Sequence, residues 1–425
     1  MKTLTVALIG AGNRGQTYTD IMRDDRFKIV AVAEPIEDRR NYIKETHNVP
    51  DEMCFTTWED LVKQPKLADI AIVSTQDRMH FEPAMKLIEL KYNLLLEKPA
   101  APTAEECLKL KEAAKENGVK ILVCHVLRYT PFFGKIKQMI DEGMIGKVMT
   151  IHHDECVGNR HQSHSFVRGN WHNSEESAAM ILAKSCHDLD IIQWLIDSPC
   201  KSVQSFGSLT YFTPENAPKG APDYCIEGCP EAENCYYNAV KLYLEDEQNL
   251  WFREAASQIL KPTQEQMEHT LRTTQYGKCV FKCKNDVVDH QVVNMEFENG
   301  ATASFSMSAF NEGGRHIRVM GTKGEIWGDM RKSIIDFYDF ATREHTLIDP
   351  SARKLTDSIL DGHGGGDGGI VNVLYKYLTE GYDGALLSEI EISVQNHMIA
   401  FAAETSRLEN KVVNMAEYTK SVQNV

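Results

Sequence analysis

The sequence lacks long apolar runs, repeats and any surplus of positive charge. No window approaches the roughly 18 uninterrupted apolar residues that suggest a membrane-spanning helix, so we expect no membrane span. The 61 acidic residues outnumber the 46 basic ones, and the net charge of −15 disfavours nucleic acid as a partner. An apolar strand begins at Leu4, which leaves no room for a signal peptide. We therefore expect a cytoplasmic protein.

Chain length and cysteine content indicate the number of domains and the state of the thiols. A chain of 425 residues is long enough for two domains, each with its own core. In a reducing cytoplasm, the eleven cysteines are expected to be thiols or metal ligands rather than disulfides.

The first 34 residues carry the clearest functional signal. The apolar run Leu4–Ile9 leads into the sequence GAGNRG, a helical pattern follows, and the second run Ile29–Ala33 ends at Glu34. This order of strand, GxGxxG, helix, strand and acid is typical of a dinucleotide-binding βαβ unit. Gly10 permits the tight turn, and Gly12 lets the pyrophosphate approach the backbone. Gly15 lets the helix pack closely on the strand.

The residue at the end of the second strand indicates which cofactor binds. The carboxylate of Glu34 would accept hydrogen bonds from an adenosine ribose and repel a 2′-phosphate, which favours NAD over NADP. Arg39 and Arg40 follow closely and weaken that preference, because an arginine there could accept the extra phosphate.

The two halves of the chain have different patterns. Up to residue 125, short apolar runs alternate with helical segments, which predicts a parallel sheet covered by helices. From residue 126 to 425, consecutive strands and hairpin signals predict an α+β domain with a large open, mostly antiparallel sheet. A single long helix is predicted over Glu175–Ile196, a loop over Arg160–Asn173, and an irregular cysteine-containing insertion around residues 214–283.

Lys98 is a candidate catalytic residue. It precedes Pro99 and is therefore held extended at the carboxyl end of the strand Leu94–Leu96, beside the crevice where ligands bind in such sheets. Its ammonium could stabilise negative charge on the oxygen of an alcohol or ketone. The alternative is an ordinary surface lysine.

Several motifs together resemble the Gfo/Idh/MocA family of oxidoreductases, which includes glucose–fructose oxidoreductase and inositol dehydrogenases. They are GAGNRG, the segment ADIAIVSTQDRMH (68–80), the tripeptide EKP (97–99), the segment Arg128–Val148 that would open the second domain, and SAAMILAKSCHDLD (177–190). The resemblance implies a cis bond between Lys98 and Pro99, and a second-domain sheet with one face toward substrate and one toward a partner subunit. It implies cofactor contacts from Gly10, Gly12, Asn13, Arg14, Gly15, Glu34, Arg39, Thr75, Gln76, His80, Glu97 and Lys98.

The resemblance also identifies an active-site helix, at which this sequence departs from the family pattern. His187 matches the catalytic histidine and suits general-base chemistry near neutral pH. The aspartate that the family usually carries four residues earlier is replaced by Ala183. Lys184 lies three residues before His187 on the same helix face and could bind an anionic or polyhydroxy substrate.

Further polar residues are expected to line the substrate side. In the predicted loop, Trp171 offers a flat face for a sugar and Arg168 a fork of donors. A second glycine-rich run contributes His363 and Asp367, and family-like positions add Arg128 and Tyr129. Each has an ordinary structural alternative: a flexible linker for the glycine run and plain surface exposure for the loop.

The cysteines of the insertion leave two interpretations open. Cys225, Cys229 and Cys235 with the distant Cys279 could supply the four thiolates of a structural zinc site, although the spacing is looser than a standard zinc motif. Otherwise they are free or buried thiols.

These expectations combine into an NAD-dependent oxidoreductase acting on a secondary alcohol of a sugar, glycoside or cyclitol. Lys98 would polarise the oxygen and His187 would carry its proton, and the protein would form a homodimer or homotetramer. The first alternative is a redox-neutral glycoside hydrolase that oxidises, eliminates, hydrates and reduces with one bound NAD. The second is a non-catalytic cofactor-sensing regulator.

Overall fold

Two β-sheets organise the chain, and the structure, a computed structural model, describes residues 2–350 and 362–423, without the side chains of residues 362 and 363. The first sheet has six parallel strands in the order β3-β2-β1-β4-β5-β6. Its strands are β1 (Leu4–Ile9), β2 (Phe27–Ala33), β3 (Cys54–Phe55), β4 (Ile70–Val73), β5 (Asn93–Leu96) and β6 (Ile121–Val123). Its helices are α1 (Asn13–Ile21), α2 (Glu37–His47), α3 (Trp58–Val62), α4 (Phe81–Glu89) and α5 (Ala104–Asn117).

Strand order positions the site in this first sheet. Every residue of β4 is buried, as expected for a parallel strand covered on both faces. The order reverses between β1 and β4, and a crevice opens at the carboxyl ends of strands at such a switch point.

The second sheet has nine strands in the order β14-β13-β12-β11-β7-β10-β9-β8-β15. All neighbours are antiparallel except β7 and β10. The strands are β7 (Val148–Cys156), β8 (Cys200–Ser208), β9 (His290–Phe297), β10 (Thr302–Ser308), β11 (Gly314–Gly321), β12 (Gly324–Asp329), β13 (Ile334–Asp339), β14 (His345–Ile348) and β15 (Val413–Asn414). Buried and exposed residues alternate along β9, so one face of the sheet packs on the core. The predicted fold class is confirmed.

The second half of the chain contributes further helices. They are α6 (Pro131–Asp141), α7 (Asn159–His161), α8 (Met180–Ala183), α9 (Cys186–Ile196), α10 (Leu250–Ser257), α11 (Gln264–Thr273), α12 (Gly366–Thr379), α13 (Ile390–Glu409) and α14 (Met415–Gln423). Among the described helices, none is both long and apolar enough to cross a bilayer.

Two predicted segments are corrected. The single helix predicted over Glu175–Ile196 is two helices, because the chain leaves helical geometry between Ala183 and Cys186, and residues before Met180 form turns. The side chain of Asn173 accepts the backbone N–H groups of residues 175 and 176, which caps a single turn that ends before Met180. The loop predicted over Arg160–Asn173 is mostly helical, since α7 continues as a π-helical segment, Gln162–Arg168.

Helix α12 returns to the first sheet from far along the sequence. Its residues Ile370, Val371 and Leu374 pack in the same apolar cluster as Val6 and Leu8 of β1. The domain boundary after residue 125 remains a prediction. The first sheet is covered in part by α12, which comes from beyond that boundary.

Candidate active site

The turn between β1 and α1 has the geometry that a pyrophosphate requires. Gly10 has a φ of +87°, and a Cβ there would lie 2.7 Å from the carbonyl oxygen of Ser74. A Cβ at Gly15 would lie 2.1 Å from the Gly10 oxygen, whereas one at Gly12 would meet only Arg39, at 3.9 Å. No side chain caps α1 at its N-terminus, so its first N–H groups can bind an anion. The loop therefore fits a dinucleotide.

Glu34 holds this glycine loop at the end of β2. Its carboxylate accepts the N–H of Ala11 at 2.6 Å and the N–H of Ile36 at 3.0 Å. Arg40 donates to the backbone oxygen of Glu34, at 2.6 Å, and Arg39 donates to Gln258, at 2.8 Å. Glu34 lies where the adenosine end of the cofactor is expected, and its contact with the ribose remains a prediction.

Arg14 joins the glycine loop to two distant segments. Its guanidinium lies 2.8 Å from Glu97 and 2.6 Å from Asp367, and the hydroxyl of Tyr18 donates to Glu97 at 2.7 Å. Burial would raise the pKa of Glu97, but the charges of Arg14 and Lys98 outweigh it and hold that pKa below its usual range. Asp367 is fully buried in this network. The expectation that it lines the substrate side is corrected, because its carboxylate pairs with Arg14.

The turn after β4 is tied to the turn after β5. Thr75 donates to the backbone oxygen of Met79 at 3.0 Å, and Gln76 is exposed beside it. The buried ring of His80 has one nitrogen 2.7 Å from the Pro99 oxygen and the other 3.1 Å from the Thr75 oxygen. His80 thereby fixes the backbone on both sides of the crevice.

Lys98 points from the first sheet toward the predicted active-site helix. The Lys98–Pro99 bond is cis, as the resemblance implied. The ammonium donates to the carbonyl oxygen of Ala183 at 2.6 Å. That oxygen is accessible because α8 ends at this residue, and the last carbonyls of a helix have no partner within it. A backbone oxygen thus contacts Lys98 at the position where the family usually carries an aspartate.

Three buried histidines lie behind Lys98. His187, in the first turn of α9, meets the His125 ring edge-to-face with 5.8 Å between centroids, and His397 lies 5.4 Å from His125. Burial, and then the charges of Arg128 and Lys98, hold the pKa of His125 well below its ordinary value. Neither nitrogen of the His125 ring has a hydrogen-bond partner among the described residues.

Lys184 lies in a buried ionic cluster on the covered face of the second sheet. Its ammonium is 3.2 Å from Glu155, Arg315 pairs with both Glu155 and Asp188, and His153 lies 2.8 Å from Asp188. Burial lowers the pKa of Lys184 despite the opposing charge of Glu155. The cluster fixes Lys184 next to the residue that binds Lys98.

Three predicted substrate residues are fully buried elsewhere. Arg128 makes a two-pronged ion pair with Asp190, both bonds at 2.6 Å. The Tyr129 hydroxyl lies 2.8 Å from that of Ser388, and Arg168 donates to backbone oxygens of the insertion. Their placement corrects the expectation that they line the substrate side.

The remaining substrate candidates have different outcomes. The indole N–H of Trp171 is 3.1 Å from both carboxylate oxygens of Asp77, in the turn after β4, so the ring lies between the two sheets' domains. Trp171 is partly exposed and stays a prediction. The side chain of His363 lies outside the described residues.

The structure does not support the predicted zinc site of the insertion, although Cys225, Cys229, Cys235 and Cys279 line one small cavity. All eleven cysteines are free thiols, and no three histidine, cysteine or acidic side chains in the described part of the chain are placed to hold a metal. Cys279 is buried in an apolar cluster against which Cys229 and Cys235 pack. Burial raises the pKa of Cys235 and Cys279.

His125 is the site residue that the sequence analysis missed. It follows β6 at the carboxyl edge of the first sheet, as Lys98 follows β5, so the same positional rule could have found it. Glu155 and Arg315 had no comparable local signal, because β7 and β11 meet only through the sheet pairing.

Comparison with known proteins covers both halves of the chain. The GFO_IDH_MocA model, described as an oxidoreductase family with an NAD-binding Rossmann fold, matches residues 4–125. A second model, for the C-terminal alpha/beta domain of the same family, matches residues 137–347.

Individual relatives are distant. YteT of Bacillus subtilis (strain 168) is 26% identical over 403 residues, which is 90% of this chain and 88% of that protein. The 2,7-anhydro-N-acetylneuraminate hydratase of Escherichia coli (strain K12) is 26% identical over 48% of this chain and 52% of its own length. A levoglucosan dehydrogenase structure with NADH and levoglucosan has a TM-score of 0.71 at 16% identity, covering 97% of this chain and 100% of that one, and shows the shared fold.

Proposed function

The chain belongs to the Gfo/Idh/MocA family of NAD-binding oxidoreductases, and from that premise we propose that it oxidises or forms a secondary alcohol on a sugar, glycoside or cyclitol. The family supplies the enzyme class, an NAD(P)-dependent dehydrogenase-like oxidoreductase. The substrate class and the roles of individual residues are the proposal.

The observation that carries the proposal is the hydrogen bond from Lys98 to Ala183, just before α9. The ammonium donates one hydrogen bond to the Ala183 oxygen, and two N–H donors remain for a substrate oxygen. These donors would stabilise the negative charge that develops on the oxygen. Bound NAD would accept a hydride from, or return it to, the carbon that carries this oxygen.

His187 is proposed to hold the proton of the alcohol. It lies in the first turn of α9, and its ring packs on His125, whose pKa is lowered by burial and then by the charges of Arg128 and Lys98. A positioned imidazole contributes about 10²–10⁴-fold as a general base. His125 packs against this ring and is proposed to fix its orientation.

The end of β2 favours NAD over NADP. Glu34 places a carboxylate near the expected ribose, and a 2′-phosphate would be repelled there. Arg39 donates to Gln258, and Arg40 donates to backbone oxygens of Glu34 and Pro35. Both arginines are thus engaged with protein groups.

A redox-neutral reaction is the second candidate, favoured by two observations. Ala183 removes the carboxylate that dehydrogenases of the family usually carry, and the relative from Escherichia coli is named a hydratase rather than a dehydrogenase. In such a reaction, oxidation would acidify a neighbouring C–H, elimination would release an aglycone, water would add, and the ketone would be reduced again.

One assay separates these candidates. The purified protein is incubated with NAD and a panel of sugars, inositols and aryl glycosides, while reduced cofactor and released aglycone are measured. Stoichiometric NADH supports the dehydrogenase, and aglycone without accumulating NADH supports the redox-neutral enzyme. Binding of NAD without either product would contradict both and favour a cofactor sensor.

A further inference from the structure

We propose that α10, in the insertion, forms the outer wall of the cofactor crevice, with Gln258 at the adenosine end and Trp251 at the substrate end. The inference rests on the proposed function for where the cofactor lies. It assigns a role to the insertion, which takes no part in the chemistry proposed for Lys98 and His187.

The first contact joins the insertion to the nucleotide-binding loop. Gln258, at the end of α10, accepts a hydrogen bond from Arg39, on α2, at 2.8 Å, although 219 residues separate them. The Arg39 guanidinium also lies 3.9 Å from where a Cβ on Gly12 would be. Gln258 therefore reaches the mouth of the crevice beside the loop that fits the pyrophosphate.

The second contact lies at the other end of α10. The Trp251 ring meets His161 with 5.1 Å between centroids and His164 with 5.5 Å. His161 lies on α7, which follows the end of β7, and Glu155 near that end of β7 is 3.2 Å from Lys184, the neighbour of Ala183. Trp251 is still 44% exposed, so its ring keeps a free surface.

The helix is anchored firmly on one side and weakly on the other. Phe252 stacks on His164 at 4.0 Å, and the buried Arg253 donates to backbone oxygens of Tyr243 and Pro262. Toward the nucleotide-binding domain, the bond from Arg39 lies on the surface. Eight helical residues span about 12 Å, enough to extend along much of a bound dinucleotide.

A wall of this kind slows cofactor exchange. A bound dinucleotide would leave only after the contact between Arg39 and Gln258 opens, so one cofactor would remain through several turnovers. This retention suits chemistry that returns the hydride to its substrate, the second candidate above.

The first experiment measures release of NADH from the full-length protein. The protein is loaded with NADH, freed of excess cofactor and mixed with a large excess of NAD⁺, and the loss of bound-NADH fluorescence is timed. One hydrogen bond corresponds to about a 2- to 10-fold change in rate, so Gln258→Ala should release NADH faster by that factor. Gln248→Ala, an exposed control in the same insertion, should match the wild type.

A double variant tests whether Gln258 acts through Arg39. In an Arg39→Ala background, Gln258→Ala should have no further effect on release. Equal release from the wild type and Gln258→Ala would overturn the proposal, as would full additivity of the two changes. No substrate is needed, so a failed activity assay leaves this test intact, whereas absence of NADH binding would refute the proposed function and this inference together.

The second experiment tests the position of Trp251. Excited tryptophan transfers energy to NADH with a steep dependence on distance, so sensitised NADH emission should fall strongly in Trp251→Phe. Trp327→Phe, on the outer face of the second sheet, is the control and should change it little. Equal decreases in the two variants would overturn the placement of α10.

Discussion

The Lys98 ammonium is held by a backbone oxygen rather than by a carboxylate, and this has a consequence for its chemistry. A carbonyl oxygen orients the ammonium through one of its three N–H donors and leaves the other two for a substrate oxygen. The loss of the family's aspartate at Ala183 is therefore compatible with a working donor at Lys98.

We expect Lys98→Ala to lower kcat by about 10²–10³-fold, because a positioned donor to a developing oxyanion is removed. NADH affinity, measured by fluorescence titration, should stay within about twofold of the wild type. Lys86→Ala, which changes an exposed lysine on α4, is the matched control and should leave both quantities unchanged. Normal turnover in Lys98→Ala would rule out the assigned role.

Local signals in the sequence located some site residues and misplaced others. Lys98 and His187 were singled out because each stands within a short motif whose position in the fold is fixed, and their catalytic roles stay predictions. Asp367 was assigned to the substrate from its glycine-rich run, and no local pattern reveals that it pairs with Arg14, 353 residues away. Arg128 was misplaced for the same reason, since Asp190 comes from another helix.

At the scale of elements, α1 and α12 are joined by one buried ion pair. Asp367 is fully buried and Arg14 is 26% exposed, so losing the carboxylate leaves a poorly solvated charge. Asp367→Asn should lower the free energy of unfolding by about 1–3 kcal/mol, since Arg14 keeps its bond to Glu97. Asp383→Asn, at an exposed position after α12, should change it by less than about 0.5 kcal/mol in the same urea titration.

The insertion should not depend on metal. Burial raises the pKa of Cys235 and Cys279, and it raises that of Cys283 to about 11. We expect dialysis against a chelator to leave the melting temperature unchanged, and metal analysis of protein purified without added zinc to find none. A drop in melting temperature that added zinc restores would contradict this expectation.

The elements themselves were largely predictable because apolar runs and glycine turns are local features. The strands of both sheets follow such runs, and the hairpin between β9 and β10 follows Glu298-Asn299-Gly300. The break between α8 and α9 was not predictable, because apolar periodicity continues across it and the competing donor, Lys98, comes from another domain. The return of α12 to the first sheet also depends on packing between distant segments.

For the whole molecule, buried neutral histidines predict loss of stability in acid. Burial lowers the pKa of His164 and of His397 to about 3, whereas an unfolded histidine titrates near 6.5. Below about pH 6.5 the unfolded state therefore binds protons that the folded state does not. The free energy of unfolding then decreases as the pH is lowered. Each histidine contributes a slope of up to about 1.4 kcal/mol per pH unit.

The test compares urea unfolding at several pH values between about 6.5 and 5. His164→Gln should give a shallower slope than the wild type, and His269→Gln, at an exposed position on α11, should keep the wild-type slope. Identical slopes for the wild type and His164→Gln would contradict the assignment.

The outer face of the second sheet carries exposed apolar side chains that suit contact with a second copy of the chain. Phe206 and Val292 face each other across β8 and β9, and Trp327 lies on β12 of the same sheet. We expect a homo-oligomer in light scattering, and Val292→Arg should shift it toward monomer. Leu408→Arg, at an exposed position on α13, should not. A monomeric wild type would refute this prediction.

The late position of α12 in the chain affects the order of folding during synthesis. The ribosome produces the glycine loop within the first fifteen residues, but the carboxylate that anchors Arg14 follows only at residue 367. A nascent chain stopped before this point would carry every residue of the nucleotide fingerprint and still lack the helix that packs behind it. Cofactor capture by arrested nascent chains of increasing length should thus begin only once α12 has emerged from the exit tunnel.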